Sequence, residues 1–176
     1  LDLIVFATIT PDMVFPSTAA LLQARLGARH IAAFDLSAAC TGFVYGLAVA
    51  DAMVSKGSAR HALVVGAEKM SRLLDWNDRA TCVLFGDGAG AAVMRAVPAA
   101  GRVGPVVLGA DGARGDLVRA GREEGVIRMN GHDTFRQAVD RLSESTLQAL
   151  VAAETGIDEI DLFVYHQANS RIIGAV

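Results

Sequence analysis

The chain has little that would support covalent cross-linking, membrane insertion or nucleic-acid binding. Two cysteines, Cys40 and Cys82, occur in 176 residues, too few for a disulfide framework. No apolar stretch reaches the ~18 residues that a bilayer span needs. There is no basic run, and 16 basic residues stand against 19 acidic ones for a net charge of −3, which argues against a nucleic-acid surface. The opening run Leu1–Phe6 has no basic flank and no small-residue cleavage site, so it does not read as a secretion signal. The expectation is a cytoplasmic protein that engages neither membrane nor nucleic acid. No pair of histidines or cysteines has metal-ligand spacing, so no metal is assigned.

What the chain does have is apolar residues, 52% of the total. That excludes disorder for most of its length and is enough for a sizeable core. It lacks a starting Met, opens inside a strand-like run and stops within an apolar helical pattern at Arg171–Val176. These ends suggest an internal piece of a longer protein.

Short apolar runs alternate with helical patterns. Leu3–Thr8, His30–Leu36 and Ala62–Ala67 read as buried strands. Ser17 offers an N-cap to a helix ending at Gly27, and Cys40–Lys56 reads as a second helix closed by Gly57. Such alternation implies βαβ units and a mostly parallel sheet. In Thr81–Arg95 the apolar segments Cys82–Phe85 and Ala91–Met94 flank Gly86-Asp87-Gly88-Ala89-Gly90, a pattern that predicts strand, turn, strand. The glycines do not form a G-x-G-x-x-G phosphate loop, because a strand rather than a helix follows. Pro98–Gly131 reads as a strand with long loops. Asp133–Glu154 reads as an amphipathic helix with Phe135, Val139, Leu142, Leu147 and Leu150 on its apolar side. Leu162–Tyr165 predicts another buried strand, and the sequence Asp161–Tyr165 repeats the pattern of Asp2–Phe6, as a duplicated α/β unit would.

Two residues carry candidate chemistry. Cys40, in Ala38-Ala39-Cys40-Thr41-Gly42, falls between a predicted strand and helix. Small residues two before and two after a nucleophile suit a strained strand-to-helix turn. The helix N-terminus is expected to lower the thiol pKa there; the plain alternative is a small buried hydrophobe. Cys82, expected in mid-strand, reads as structural. His166 follows a predicted strand at the sheet end where α/β folds hold ligands, as a base or an oxyanion donor, or as an ordinary loop histidine. Arg79, beside Trp76 and Asp78, could meet an anionic ligand or simply be solvated.

Five motifs in order resemble a known family. They are Phe34-Asp35-Leu36-Ser37-Ala38-Ala39-Cys40-Thr41-Gly42-Phe43, Asp75-Trp76-Asn77-Asp78-Arg79-Ala80-Thr81, Phe85-Gly86-Asp87-Gly88-Ala89-Gly90-Ala91, Met129-Asn130-Gly131 and His166-Gln167-Ala168-Asn169. Together they look like β-ketoacyl-acyl-carrier-protein synthase III, the initiating condensing enzyme of type II fatty acid synthesis.

The resemblance implies an α/β thiolase-like fold of duplicated βαβαβαββ halves with mixed five-stranded sheets, only part of each half being present. Residues 1–96 would be the C-terminal part of the first half and 97–176 the start and middle of the second. It implies a homodimer acting on an acyl-CoA, with acetyl-CoA the expected one, and on malonyl-acyl carrier protein, with acyl-CoA as substrate and no separate cofactor. By resemblance, Cys40 is the nucleophile and His166 stabilises the enolate. Arg79, Asn169 and Met129 line the coenzyme A path, Arg171 docks the carrier protein, and Phe15 reaches the partner's acyl pocket.

Tyr165 replaces the proline often found before the histidine. The family's Gly-Asn-Thr-Ser segment, with its catalytic asparagine, and the glycine-rich oxyanion segment would lie past Val176. Further coenzyme A contacts would lie before Leu1, so these 176 residues alone are expected to be inactive. A starter-unit synthase or acyltransferase of polyketide metabolism, a non-catalytic dimerisation partner and a cysteine hydrolase are the other readings. An elongating synthase fits less well, because those enzymes use a second histidine where this family uses asparagine.

Overall fold

The computed structural model describes residues 1–98 and 103–176. Two compact units are formed, one from Leu1–Lys69 with Asp87–Val103 and the other from Met70–Gly86 with Gly104–Val176.

The first unit is built on strand β1 (Leu3–Ala7), whose five residues are all buried. Its neighbours are β2 (Ala32–Leu36) and β3 (His61–Lys69), both parallel to it, and β4 (Asp87–Arg95) runs antiparallel to β3, giving the order β2-β1-β3-β4. Side chains alternate across a strand, so the unbroken apolar run of β1 serves two cores. Leu3 and Val5 join Ala50, Val54 and Val64 under helix α2 (Gly42–Ser55), while Ile4 and Phe6 join Ala19 and Val65 under helix α1 (Thr18–Arg25).

Both helices have sequence-readable ends. Ser17 Oγ accepts from the Ala20 amide at 3.2 Å, and Gly27 and Gly57, past the last turns, adopt φ of +61° and +75°, the left-handed conformation that glycine tolerates best. A second cap at the start of α1 was not foreseen. The Asp35 carboxylate, on β2, accepts from the Thr18 amide at 2.7 Å and the Ala19 amide at 2.8 Å. Helix α2 lies so close to the sheet that a Cβ on Gly46 would stand 2.9 Å from Val64 Cγ1, and one on Gly42 would stand 2.9 Å from Ala7 Cβ.

The strand–turn–strand expectation for Thr81–Arg95 needs correction. Cys82–Leu84 is a single turn of 3₁₀ helix, so Cys82 is not in mid-strand. Gly86–Gly90 is not a turn either, because β4 begins at Asp87 and pairs across nine residues, with Gly90 opposite Gly66 and Asp87 opposite Lys69. Gly88 and Gly90 are part of the ladder and Gly86 lies just before it; a Cβ at any of the three would meet nothing within 4 Å.

In the second unit a short hairpin joins β5 (Val118–Ala120) to β6 (Ile127–Met129). Helix α3 (Gly131–Ala152) follows, its N-terminus capped by Asn130 Oδ1 accepting from the Asp133 amide at 3.3 Å. Phe135, Val139, Leu142 and Leu150 are half-buried as expected, but Leu147 is exposed. The expectation for Pro98–Gly131 falls partly on residues 99–102, which lie outside the described residues.

Leu162–Tyr165 is not a strand, in contrast to its predicted role. Leu162 and Val164 are 75% and 79% exposed. β1 has a strand on each side to take its backbone hydrogen bonds; among the described residues no strand lies beside 162–165 to do the same. The segment is held by its side chains, with the Phe163 and Tyr165 rings stacked at 5.9 Å and the Tyr165 hydroxyl 3.0 Å from Thr146 Oγ1. A four-residue helix α4 (Ser170–Ile173) closes the chain.

Two outcomes follow from this packing. Gly46→Ala is expected to lower stability by about 1–3 kcal/mol through overpacking against Val64, whereas Gly90→Ala, with open space around it, changes it by under about 0.5 kcal/mol; urea unfolding of both variants checks the contrast. Asp35→Ala removes the acceptor of two helix N-terminal amides and is expected to cost about 1–2 kcal/mol, read from the same unfolding midpoints.

Candidate active site

Cys40 stands where β2 hands over to α2. The 3₁₀ turn Ala39–Thr41 links the two, and Thr41 folds back so that its hydroxyl donates to the Ala38 carbonyl at 2.8 Å. The turn is strained, as the sequence pattern predicts, but the strain sits one residue earlier than the thiol. Ala39 has φ of +45°, a left-handed conformation that costs a non-glycine residue roughly 1–2 kcal/mol. The small residue two places after Cys40 has a separate cause: Gly42 is the point where α2 touches Ala7 of β1.

The thiol departs from expectation in its acidity. Cys40 is an exposed residue, yet the protein packed around the thiol pushes its pKa up, against a lowering by the residue's own amide, and the negative charge of Glu68 adds a last, smaller push upward. The net direction is therefore upward, opposite to the fall expected from the helix N-terminus. Desolvation disfavours thiolate whether or not other atoms of the residue meet water.

The C-terminal ends of β1 and β3 form a cleft of about 510 Å³, lined by residues that include Thr8, Thr10, Glu68, Lys69 and Asp87. Glu68 is bonded through both of its carboxylate oxygens. Its carboxylate accepts from Thr8 Oγ1 at 3.2 Å, the Ile9 amide at 2.9 Å and Thr10 Oγ1 at 2.5 Å, while Thr10 Oγ1 accepts from the Lys69 amide at 2.8 Å. Sequence reasoning missed this cluster. Its signal was a carboxylate closing the apolar run Ala62–Ala67, with Thr8 and Thr10 closing the other one.

The remaining residues divide between the units. Phe15 belongs to the first with Cys40 and is 82% exposed, next to Val14 at 92%. His166, Arg79, Met129, Asn169 and Arg171 belong to the second. There, Arg128 Nη1 donates to Asp75 at 3.1 Å, which joins the strand carrying Met129 to the 75–79 loop carrying Arg79. Asp75 and Asp78 shape that loop by accepting from the Asn77 and Ala80 amides, each at 3.1 Å. The Asn77 amide, with Arg128 behind it, holds the Asp75 carboxyl below the usual carboxylate range. Asn169 Oδ1 accepts from the Arg171 amide at 2.9 Å and so caps α4, and His166 is exposed on the segment just before it. Among the described residues no three His, Cys, Asp or Glu side chains are grouped to hold a metal ion, and no helix is long and apolar enough to cross a membrane.

A mixed sheet with a helix on each face is the arrangement of the thiolase-fold condensing enzymes, and solved structures share the fold of this chain. A 3-oxoacyl-[acyl-carrier-protein] synthase III from Aquifex aeolicus superimposes with a TM-score of 0.96 at 46% identity, over 99% of this chain and 56% of that one. The priming β-ketosynthase of the R1128 polyketide pathway does so with 0.92 at 37%, over 99% and 55%. The family model for 3-oxoacyl-[acyl-carrier-protein (ACP)] synthase III matches residues 34–129, and the chain belongs to that family. Among curated relatives, β-ketoacyl-[acyl-carrier-protein] synthase III of Rhodospirillum rubrum is 52% identical over 184 residues and that of Natranaerobius thermophilus 45% over 190, each alignment covering 98% of this chain. The chain spans only 57% and 58% of the length of these two relatives.

Because burial and Glu68 both oppose ionisation, alkylation of Cys40 by iodoacetamide should rise with pH to a midpoint above that of an ordinary cysteine. Peptide mass spectrometry after timed alkylation gives the profile, and a midpoint below the ordinary value would contradict the assigned causes.

Proposed function

We propose that the protein is an initiating condensing enzyme of type II fatty acid synthesis, joining an acyl-CoA, acetyl-CoA first among them, to malonyl-acyl carrier protein. The observation that carries this reading is Cys40 on the strained turn between β2 and α2, inside the stretch matched by the family model.

In the first step the Cys40 thiolate attacks the thioester carbonyl, the acyl group passes to Sγ, and coenzyme A leaves as its thiolate and takes up a proton. A covalent acyl-enzyme splits a difficult condensation into two easier steps. Malonyl-acyl carrier protein then enters and loses carbon dioxide, and the electron pair of the broken C–C bond forms an enolate. A hydrogen bond from His166 to the enolate oxygen would stabilise charge where it develops. The enolate carbon attacks the acyl-cysteine, and Cys40 leaves as thiolate with release of the β-ketoacyl product. Acyl-CoA enters as a substrate, and no metal or separate cofactor is proposed.

Arg79, Met129 and Asn169 are assigned to the coenzyme A path and Arg171 to the acidic carrier protein. Phe15 is assigned to the partner's acyl pocket in a homodimer; its exposure, together with that of Val14 and Met13, supports a covered surface there. A cytoplasmic location goes with these soluble substrates. The likeness to the R1128 priming synthase supports a second reading, a starter-unit synthase of polyketide metabolism using the same chemistry on another acyl group.

Intact-mass spectrometry of the full-length protein after incubation with acetyl-CoA and longer acyl-CoAs tests both. An acyl adduct that disappears in Cys40→Ala is expected, with a preference for acetyl under the first reading and for a longer acyl chain under the second. A folded protein that no thioester labels would overturn the proposal.

A further inference from the structure

We infer that Glu68 is a positioning residue for the Cys40 site: its carboxylate clamps the Thr8–Thr10 segment to the end of β3 and lays a negative charge on the sheet face that the N-terminus of α2 covers. The inference takes Cys40 as the reactive thiol from the proposed function, but its test does not require acyl transfer.

Register and packing place the two residues. In the parallel ladder Ala7 of β1 pairs with Leu36 on one side and Gly66 on the other. Helix α2 enters over this row, with a Cβ on Gly42 meeting Ala7 and a Cβ on Gly66 standing 3.4 Å from the Phe43 ring. Side chains two apart on a strand share a face, so Val64, Gly66 and Glu68 all point to the side that α2 covers. Val64 confirms that side by packing in the core under α2. Glu68 is thus one step beyond the residue under Phe43, and Cys40 is three residues before Phe43, in the turn that opens α2.

The clamp accounts for both Glu68 oxygens. Oε1 takes the Ile9 amide and Oε2 takes the Thr8 and Thr10 hydroxyls. The Thr8 hydroxyl in turn accepts from the Thr10 amide at 3.1 Å. The segment leading from β1 toward Phe15 is therefore tied to β3 through one carboxylate. At this end of the sheet the other ionisable groups are Asp12 after β1, Asp35 on β2, Tyr45 on α2, Lys69 on β3 and Asp87 on β4, while His61 and Arg95 pair at the far end of the β3–β4 ladder and Asp51 lies toward the far end of α2. Asp35 is turned to the N-terminus of α1, and Lys69 and Asp87 face each other in the β3–β4 register. Glu68 is the acid of this group that lies on the α2-covered face beyond Gly66.

The experiment combines the pH profile of Cys40 alkylation with amide hydrogen exchange, on the full-length protein. Glu68→Gln keeps an acceptor for the Ile9 amide but removes the charge; it should move the alkylation midpoint down and speed alkylation at pH 7 roughly threefold. Thr10→Val keeps the charge and removes the acceptor of the Lys69 amide; that amide should exchange faster while the alkylation midpoint stays in place. An unchanged midpoint in Glu68→Gln, or an equal downward move in Thr10→Val, overturns the inference. Should Glu68→Gln fail to fold, Glu68→Asp decides: faster Ile9 exchange with no fall in the midpoint supports the inference, and a lowered midpoint or unchanged exchange overturns it.

Discussion

The burial of β1 on both faces is the constraint on which the first unit rests. A strand with no exposed side must have a neighbour on each edge and a helix on each face, and β2, β3, α1 and α2 meet those four demands. The approach of α2 is close enough to need glycine at positions 42 and 46. The first of these contacts decides where the turn before the helix begins, and so where Cys40 is presented. Core packing and site geometry are therefore one problem here: the methyl group of Ala7 helps to locate the thiol, although the two lie on different elements.

The thiol itself sits in a balance of opposing effects. Burial, the largest effect, and the carboxylate of Glu68 favour thiol, the residue's own amide favours thiolate, and the net direction is toward thiol. Oxidation runs through thiolate, the form that this net push disfavours.

Much of the first unit was legible in the sequence because its signals are local. The strands around Val5, Phe34 and Val64 are short apolar runs, and Ser17, Gly27 and Gly57 punctuate the helices as expected. What was not legible depends on partners distant in the chain. Ala91–Met94 is a strand as expected, but Cys82–Phe85, of strand-like composition, is not, and the glycine stretch extends β4 instead. Leu162–Tyr165 copies the pattern of β1, but a strand exists only where neighbours accept its backbone. The site followed the same division. Cys40 announced itself by small flanking residues, whereas Glu68 and Asp35 act through bonds to residues 58–60 and 16–17 positions away, respectively, which no local pattern encodes.

Asp35 has one more consequence. The free amides at the start of a helix are a common berth for phosphate, but at α1 two of them already hold an internal carboxylate. This berth is filled from within, and a phosphorylated ligand approaching it would meet a like charge. Of the 16 basic residues 14 are arginine by count from the sequence, and guanidinium offers the paired donors that phosphate oxygens accept, so a phosphate held by a basic side chain of this protein would meet a fork of donors far more often than a single ammonium.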